Sequence, residues 1–166
     1  MISRGQRAVT RRWVAIALVL SHQSGFALAV TTNTSFTVSV AVPATCVISA
    51  TALSFLAYNG VVDVATSSIS MTCSNTTNYN VGLNAGLASG ATVSTRRMSS
   101  GANRLSYSLY SDASRTLNWG QTVGTDTVTG TGNGTAQVLT VYGRIPAGQF
   151  VSPGNYNDIV IATVTY

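Results

Sequence analysis

The chain has 166 residues, 45% of them hydrophobic and only 8% charged, with a formal net charge of +5. It contains no lysine and no glutamate, and its one histidine is His22, so everything after residue 29 lacks all three. A Ser-His-Asp or Cys-His arrangement therefore has no base, zinc sites built from His and Cys have no ligand set, and no enzyme is expected.

Residues 1–29 read as a secretory signal, with Arg4, Arg7, Arg11 and Arg12 as a basic start, Trp13 to Leu20 as a short apolar core and Ala27-Leu28-Ala29 as a cleavage site. The apolar run is too short to span a bilayer, which takes roughly 20 apolar residues, and His22 and Gln23 interrupt its extension. The mature chain is expected to begin at Val30 and to hold 137 of the 166 residues, the size of one domain with its own core. No membrane insertion is expected after cleavage.

From there on, β-branched and aromatic residues alternate with polar ones, and no stretch carries helical spacing. Phe36, Val38, Val40 and Val42 form the first run, ended by Pro43. Val62 and Val64, then Ile69, Met71 and Cys73, predict one or two strands. Further strands are predicted at Tyr79 to Leu83, Leu105 to Leu109, Gln137 to Ile145 and Tyr156 to Tyr166. Turn-forming clusters separate them at Asn59-Gly60, Ser74 to Asn78, Ala88 to Gly90, Gly130 to Gly134 and Ser152 to Asn155. Thr122 to Thr135, rich in Gly and Thr, reads as a long hairpin. The whole predicts a single all-β domain, an antiparallel β-sandwich.

Signal cleavage removes four arginines and leaves five against four aspartates, a net charge of +1. Arg96, Arg97, Arg104, Arg115 and Arg144 are scattered in sequence, with no basic run of the kind a phosphate track requires, so no nucleic-acid partner is expected. The aspartates, Asp63, Asp112, Asp126 and Asp158, are far apart and none sits in a ligand-spaced loop, so no metal or other cofactor is expected either. Cys46 and Cys73 are an isolated pair, which in an exported protein reads as a disulfide. Trp119 and the tyrosines invite a sugar-stacking reading, but Tyr107, Tyr142, Tyr156 and Tyr166 fall in predicted strands, where aromatics pack.

Several of these segments match a known family in order. Phe36-x-Val38-x-Val40-x-Val42 leading to Cys46, Leu53-x-Phe55-x-x-Tyr58, Arg97-Met98, and Leu105-x-Tyr107-x-Leu109-Tyr110-x-Asp112 are the first four. Trp119-Gly120, Tyr142-Gly143-Arg144-Ile145 and Gly154-x-Tyr156-x-Asp158-x-Val160 follow. Together they resemble the spore coat protein U domain, shared with pilin subunits of the archaic chaperone–usher pathway. Leu56 departs from the pattern, which usually has Gly after the Phe.

The resemblance implies an immunoglobulin-like sandwich that lacks its last strand, leaving an apolar groove beside the C-terminal strand. It implies a periplasmic chaperone that lends a strand, an outer-membrane usher, and further copies or related subunits whose N-terminal extensions replace the chaperone strand. The product is a structural subunit exported to a surface fibre for adhesion or biofilm formation. Both ends of the chain suit this: Thr34, Phe36, Val38, Val40 and Val42, within a segment of about 30–42, have the parity of a donor strand, and Val160, Ala162, Val164 and Tyr166 form one face of a last strand. The same 36–42 run also reads as the domain's own first strand, or as split between both roles. A secreted coat or matrix protein and a carbohydrate-binding module are the competing functions.

Overall fold

The computed structural model describes residues 28–166, so the signal reading lies outside the described residues except for Leu28 and Ala29. The chain divides into one unit ending at Val40 and another from Ala41 to Tyr166. Up to Val40 the described residues form no strand and their side chains are exposed.

The second unit holds eight strands: β1 (Cys46–Ala50), β2 (Asp63–Cys73), β3 (Asn78–Leu83), β4 (Arg96–Ser100), β5 (Asn103–Tyr110), β6 (Val128–Thr131), β7 (Ala136–Ile145) and β8 (Ala162–Thr165). They build an antiparallel five-stranded sheet in the order β1-β2-β7-β5-β4 and a three-stranded sheet in the order β6-β3-β8. Period-two alternation turns one face of each strand inward. Ile69 and Met71 of β2, Val141 and Ile145 of β7, and Leu105, Tyr107 and Leu109 of β5 are buried with Tyr79, Val81 and Leu83 of β3. Trp119 plugs this core at 1% exposure, its indole N–H donating to the Val81 carbonyl at 2.8 Å. That burial removes Trp119 as a sugar-stacking platform.

Most predicted strands are present, but the 36–42 run is no strand of this chain, and β1, like β4, lies outside the predicted runs. The runs at 62–64 and 69–73, read as one or two strands, are one, paired with β7 without a break from Asp63 opposite Ile145 to Thr72 opposite Ala136. The 122–135 stretch is no hairpin: β6 pairs with β3 and β7 with β2, so the chain crosses between sheets at Gly132 to Thr135. Only Ala162–Thr165 of the 156–166 run is strand. β4 was not predicted, because its inward positions hold Arg96, Met98 and Ser100 and give no apolar alternation.

Arg96 is fully buried and acts as a polar staple. Its guanidinium donates to the carbonyls of Asn84 (2.8 Å), Val93 (2.6 Å), Leu83 (2.9 Å) and Trp119 (2.7 Å), tying β4 to the end of β3. Burial pulls its pKa below the ordinary arginine value, against the opposing influence of Tyr107, Asp158 and Asp126. Four charge-assisted bonds to carbonyls offset the cost of carrying a cation inward.

Candidate functional site

β8 lies at an edge: one side pairs with β3, from Asn80 opposite Thr165 to Leu83 opposite Ala162, and no strand pairs with its other side among the described residues. Beside it the sandwich is open. A cavity of about 460 Å³ runs between the end of β1 with the residues up to Ser54 on one side and, on the other, Tyr156 to Val160 with Ala162 at the start of β8. Its floor is core, with Ile69, Leu83, Tyr107, Leu109 and Val141 at the base. A second cavity of about 970 Å³ shares Leu53, Ser54, Met98, Tyr156 and Asn157 with the first and continues toward Leu56, Tyr58 and Phe150. Together they make one groove, apolar on the floor of the smaller cavity and of mixed polarity along the larger.

Each wall is held by identifiable contacts. Leu53 and Phe55 pack where β7 carries Gly143, and a Cβ there would strike both side chains. Phe55 also meets the Tyr107 ring edge-on at 6.4 Å. The Tyr58 hydroxyl donates to the Pro146 carbonyl at 2.7 Å. The Leu53, Phe55 and Tyr58 spacing seen in the sequence is thus the spacing of a wall. Leu56, the departure from the family pattern, is 82% exposed on that wall.

The other wall is buttoned down by Asp158, whose carboxylate accepts from the Tyr107 hydroxyl (2.7 Å) and from the Leu87 and Ile159 amides (both 2.9 Å). A Cβ on Gly86 would fall on that carboxylate, and its φ of +86° is a left-handed conformation suited to glycine. Burial, then the bond to Asp158, pushes the Tyr107 pKa well above the ordinary phenol value. Asn84 finishes the entry to β8: its amide N–H donates to the Ile161 carbonyl (3.1 Å) and its side-chain oxygen accepts from the Ile161 amide (2.9 Å).

The groove side of the sequence reading is placed as follows. Val160, Ala162 and Val164 are half-buried against the core, whereas Tyr166 lies past the end of β8 and is 57% exposed. Thr34, Phe36, Val38, Val40 and Val42 belong to no strand of their own chain, and the four apolar ones are 82–87% exposed. Cys46 and Cys73 are disulfide-bonded, with their Cα atoms 4.1 Å apart, and join the first residue of β1 to the last of β2. Sequence reasoning missed the staple of Arg96 and the buttons at Asp158 and Asn84, which carry no apolar signal. It also missed Gln149, whose side-chain amide accepts from the Ser106 N–H (2.8 Å) and donates to the Ser106 carbonyl (2.9 Å), standing in for a strand partner just past Pro146.

A family model for the Spore Coat Protein U domain matches residues 32–163. The chain belongs to the Spore Coat Protein U domain family. Within the reach of that family, Protein U of Myxococcus xanthus is 41% identical over 113 residues, which take in 64% of this chain and 63% of that protein. Among solved structures, a chain in the complex of chaperone and tip adhesion subunit from the archaic chaperone–usher Csu pili of Acinetobacter baumannii matches with a TM-score of 0.57. The identity is 24%, and the match covers 75% of this chain and 40% of that one. This likeness supports the immunoglobulin-like sandwich. The chain spans less than two thirds of either relative.

Proposed function

We propose that this spore coat U domain is a structural subunit of a bacterial surface fibre, polymerised by donation of residues 30–42 of one copy into the β8 groove of another. The observation that carries this reading is the presence, in one chain, of an open groove with an apolar floor and of an unpaired segment whose apolar residues alternate. Phe36, Val38, Val40 and Val42 alternate over about 20 Å of extended backbone, and Val160 and Ala162, which line the groove, repeat at the same interval. Added to β8, the segment gains main-chain hydrogen bonds along the edge and buries four apolar side chains. At roughly 1.5–3 kcal/mol each the gross gain is about 6–12 kcal/mol, from which the ordering of both partners subtracts.

An uncovered edge of this kind aggregates, so the path to the fibre calls for a periplasmic chaperone to fill the groove and an outer-membrane usher where the next subunit displaces it. Adhesion or biofilm formation is the use such a fibre serves. A secreted coat or matrix protein is the second reading, favoured by the match to Protein U.

The test is electrophoresis of the exported protein in detergent, boiled against unboiled, with and without Val30 to Thr37. A ladder that collapses on boiling and vanishes with the deletion is expected. A monomer band in every lane, from protein made beside its own export machinery, overturns donor-strand polymerisation and leaves the coat reading in front.

A further inference from the structure

The arginines that are scattered in sequence are gathered by the fold. On the outer face of the five-stranded sheet, Arg97 stands opposite Ser106, Arg104 opposite Ser99, and Arg144 opposite Ser108, all on one parity. Strand spacing puts these three backbone positions within about 15 Å of one another. Arg115 joins them from the loop after β5, its guanidinium 5.7 Å over the Tyr142 ring, which lies two residues from Arg144 on the same face. The side chains of Arg97 and Arg144 make no hydrogen bond among the described residues, whereas Arg104 and Arg115 are steadied by the carbonyls of Gly101 and Gly143.

No carboxylate answers them across this face. Asp63 lies on the inward parity of β2, and Asp158 is taken by Tyr107 and Leu87. Asp126 accepts from the Thr122 amide. Asp112, in the same loop as Arg115, is turned to the Thr116 and Leu117 amides and the Thr116 hydroxyl. The face is therefore of one sign, and around the arginines it is carpeted with hydroxyls, among them Thr66, Thr140 and Ser106.

We infer that this outer sheet face, formed by Arg97, Arg104, Arg144 and Arg115, binds an acidic polysaccharide. Guanidinium forks match carboxylates two bonds at a time, and the serine and threonine hydroxyls both donate to and accept from sugar hydroxyls. A single-stranded nucleic acid fits less well, because it needs a row of open aromatic faces for its bases and this face offers, among the described residues, only Tyr110 and the opposite Tyr142, the second already covered by Arg115. The face is on the opposite side of the sheet from the core, so the inference is independent of strand donation.

The experiment is titration of the full exported chain with alginate, a polyuronate, beside neutral dextran and single-stranded DNA. The wild type is expected to bind alginate at low salt, to lose it near about 0.5 M salt as screening shortens the reach of the charges, and to ignore dextran. The double variant Arg97→Gln, Arg144→Gln is expected to weaken alginate binding about tenfold or more, with circular dichroism unchanged because neither side chain holds the fold together. Alginate binding that survives the double substitution or high salt overturns the inference. So does equal binding of dextran, and DNA binding as tight as alginate would replace the polysaccharide with nucleic acid.

Discussion

Tyr79, Val81 and Leu83 on β3 and Phe36, Val38 and Val40 near the N-terminus are written in the same alternating pattern, yet the first three are at most 4% exposed and the second three at least 82%. The difference is not in propensity, since both runs are β-branched and aromatic at every second position. It lies in the partners: β3 is flanked by β6 and β8 and faces the five-stranded sheet, while residues 34–42 pair with no strand among the described residues. Alternation states that a segment can be one face of a sheet. Which sheet, and in which molecule, is decided by what edge is left open.

The sharpest way to probe that contrast is to place the same charge in both runs. Val81→Asp buries an unpaired carboxylate in the core and is expected to cost about 5 kcal/mol or more, read as loss of the folded baseline in denaturant titration. Arg96→Met tests whether a polar staple holds the same region: four carbonyls, two of them buried and two partly so, lose their donor, and a loss of about 3–5 kcal/mol is expected by the same measurement. Replacing Cys46 and Cys73 together with serine removes a bridge closing 27 residues of chain, with an expected cost of about 2–4 kcal/mol.

Tyr107→Phe takes away one bond to Asp158 and is expected to cost about 1–3 kcal/mol at neutral pH. It also carries a pH signature. Because the folded Tyr107 pKa is raised, its contribution is fully present below the unfolded phenol value of about 10 and declines as pH climbs above it, where the unfolded chain ionises first. The wild type should lose stability over that alkaline range more steeply than Tyr107→Phe; equal slopes would remove the phenol from the account. Smallest of all in stability is Val38→Asp, expected to change the unassembled chain by less than about 0.5 kcal/mol while abolishing the detergent-resistant ladder. A ladder that persists with Val38→Asp would place the donated face elsewhere.

Strands whose inward residues are apolar were legible from the sequence, as β2, β3, β5 and β7 show. β4 was hidden because arginine fills a core position there, and β6 because Val128-Thr129-Gly130-Thr131 offers one large apolar residue. The hairpin expected at 122–135 failed for a different reason: pairing is non-local, and β6 finds β3 some fifty residues away rather than its neighbour in sequence. The inward packing of Val160, just before β8, and of Ala162 and Val164 on it was legible from alternation, whereas Tyr166 lies beyond the strand and is exposed. The hydrogen bonds of Asp158 and Asn84 were not, since a polar residue reads alike whether it faces water or fastens one segment to another.

The disulfide sits where the N-terminal segment enters the domain. Thr45 is clamped to Ser74 by backbone and hydroxyl bonds, and the next residue, Cys46, is bonded to Cys73. A tensile load applied through the segment therefore reaches a covalent link before it reaches the hydrogen bonds between β1 and β2. Peeling of β1 from that end, which would otherwise break those bonds one at a time, is blocked at its first residue. The force passes instead into β2, which is paired with β7 along nearly its whole length, so the sheet is loaded as a unit and its bonds share the strain.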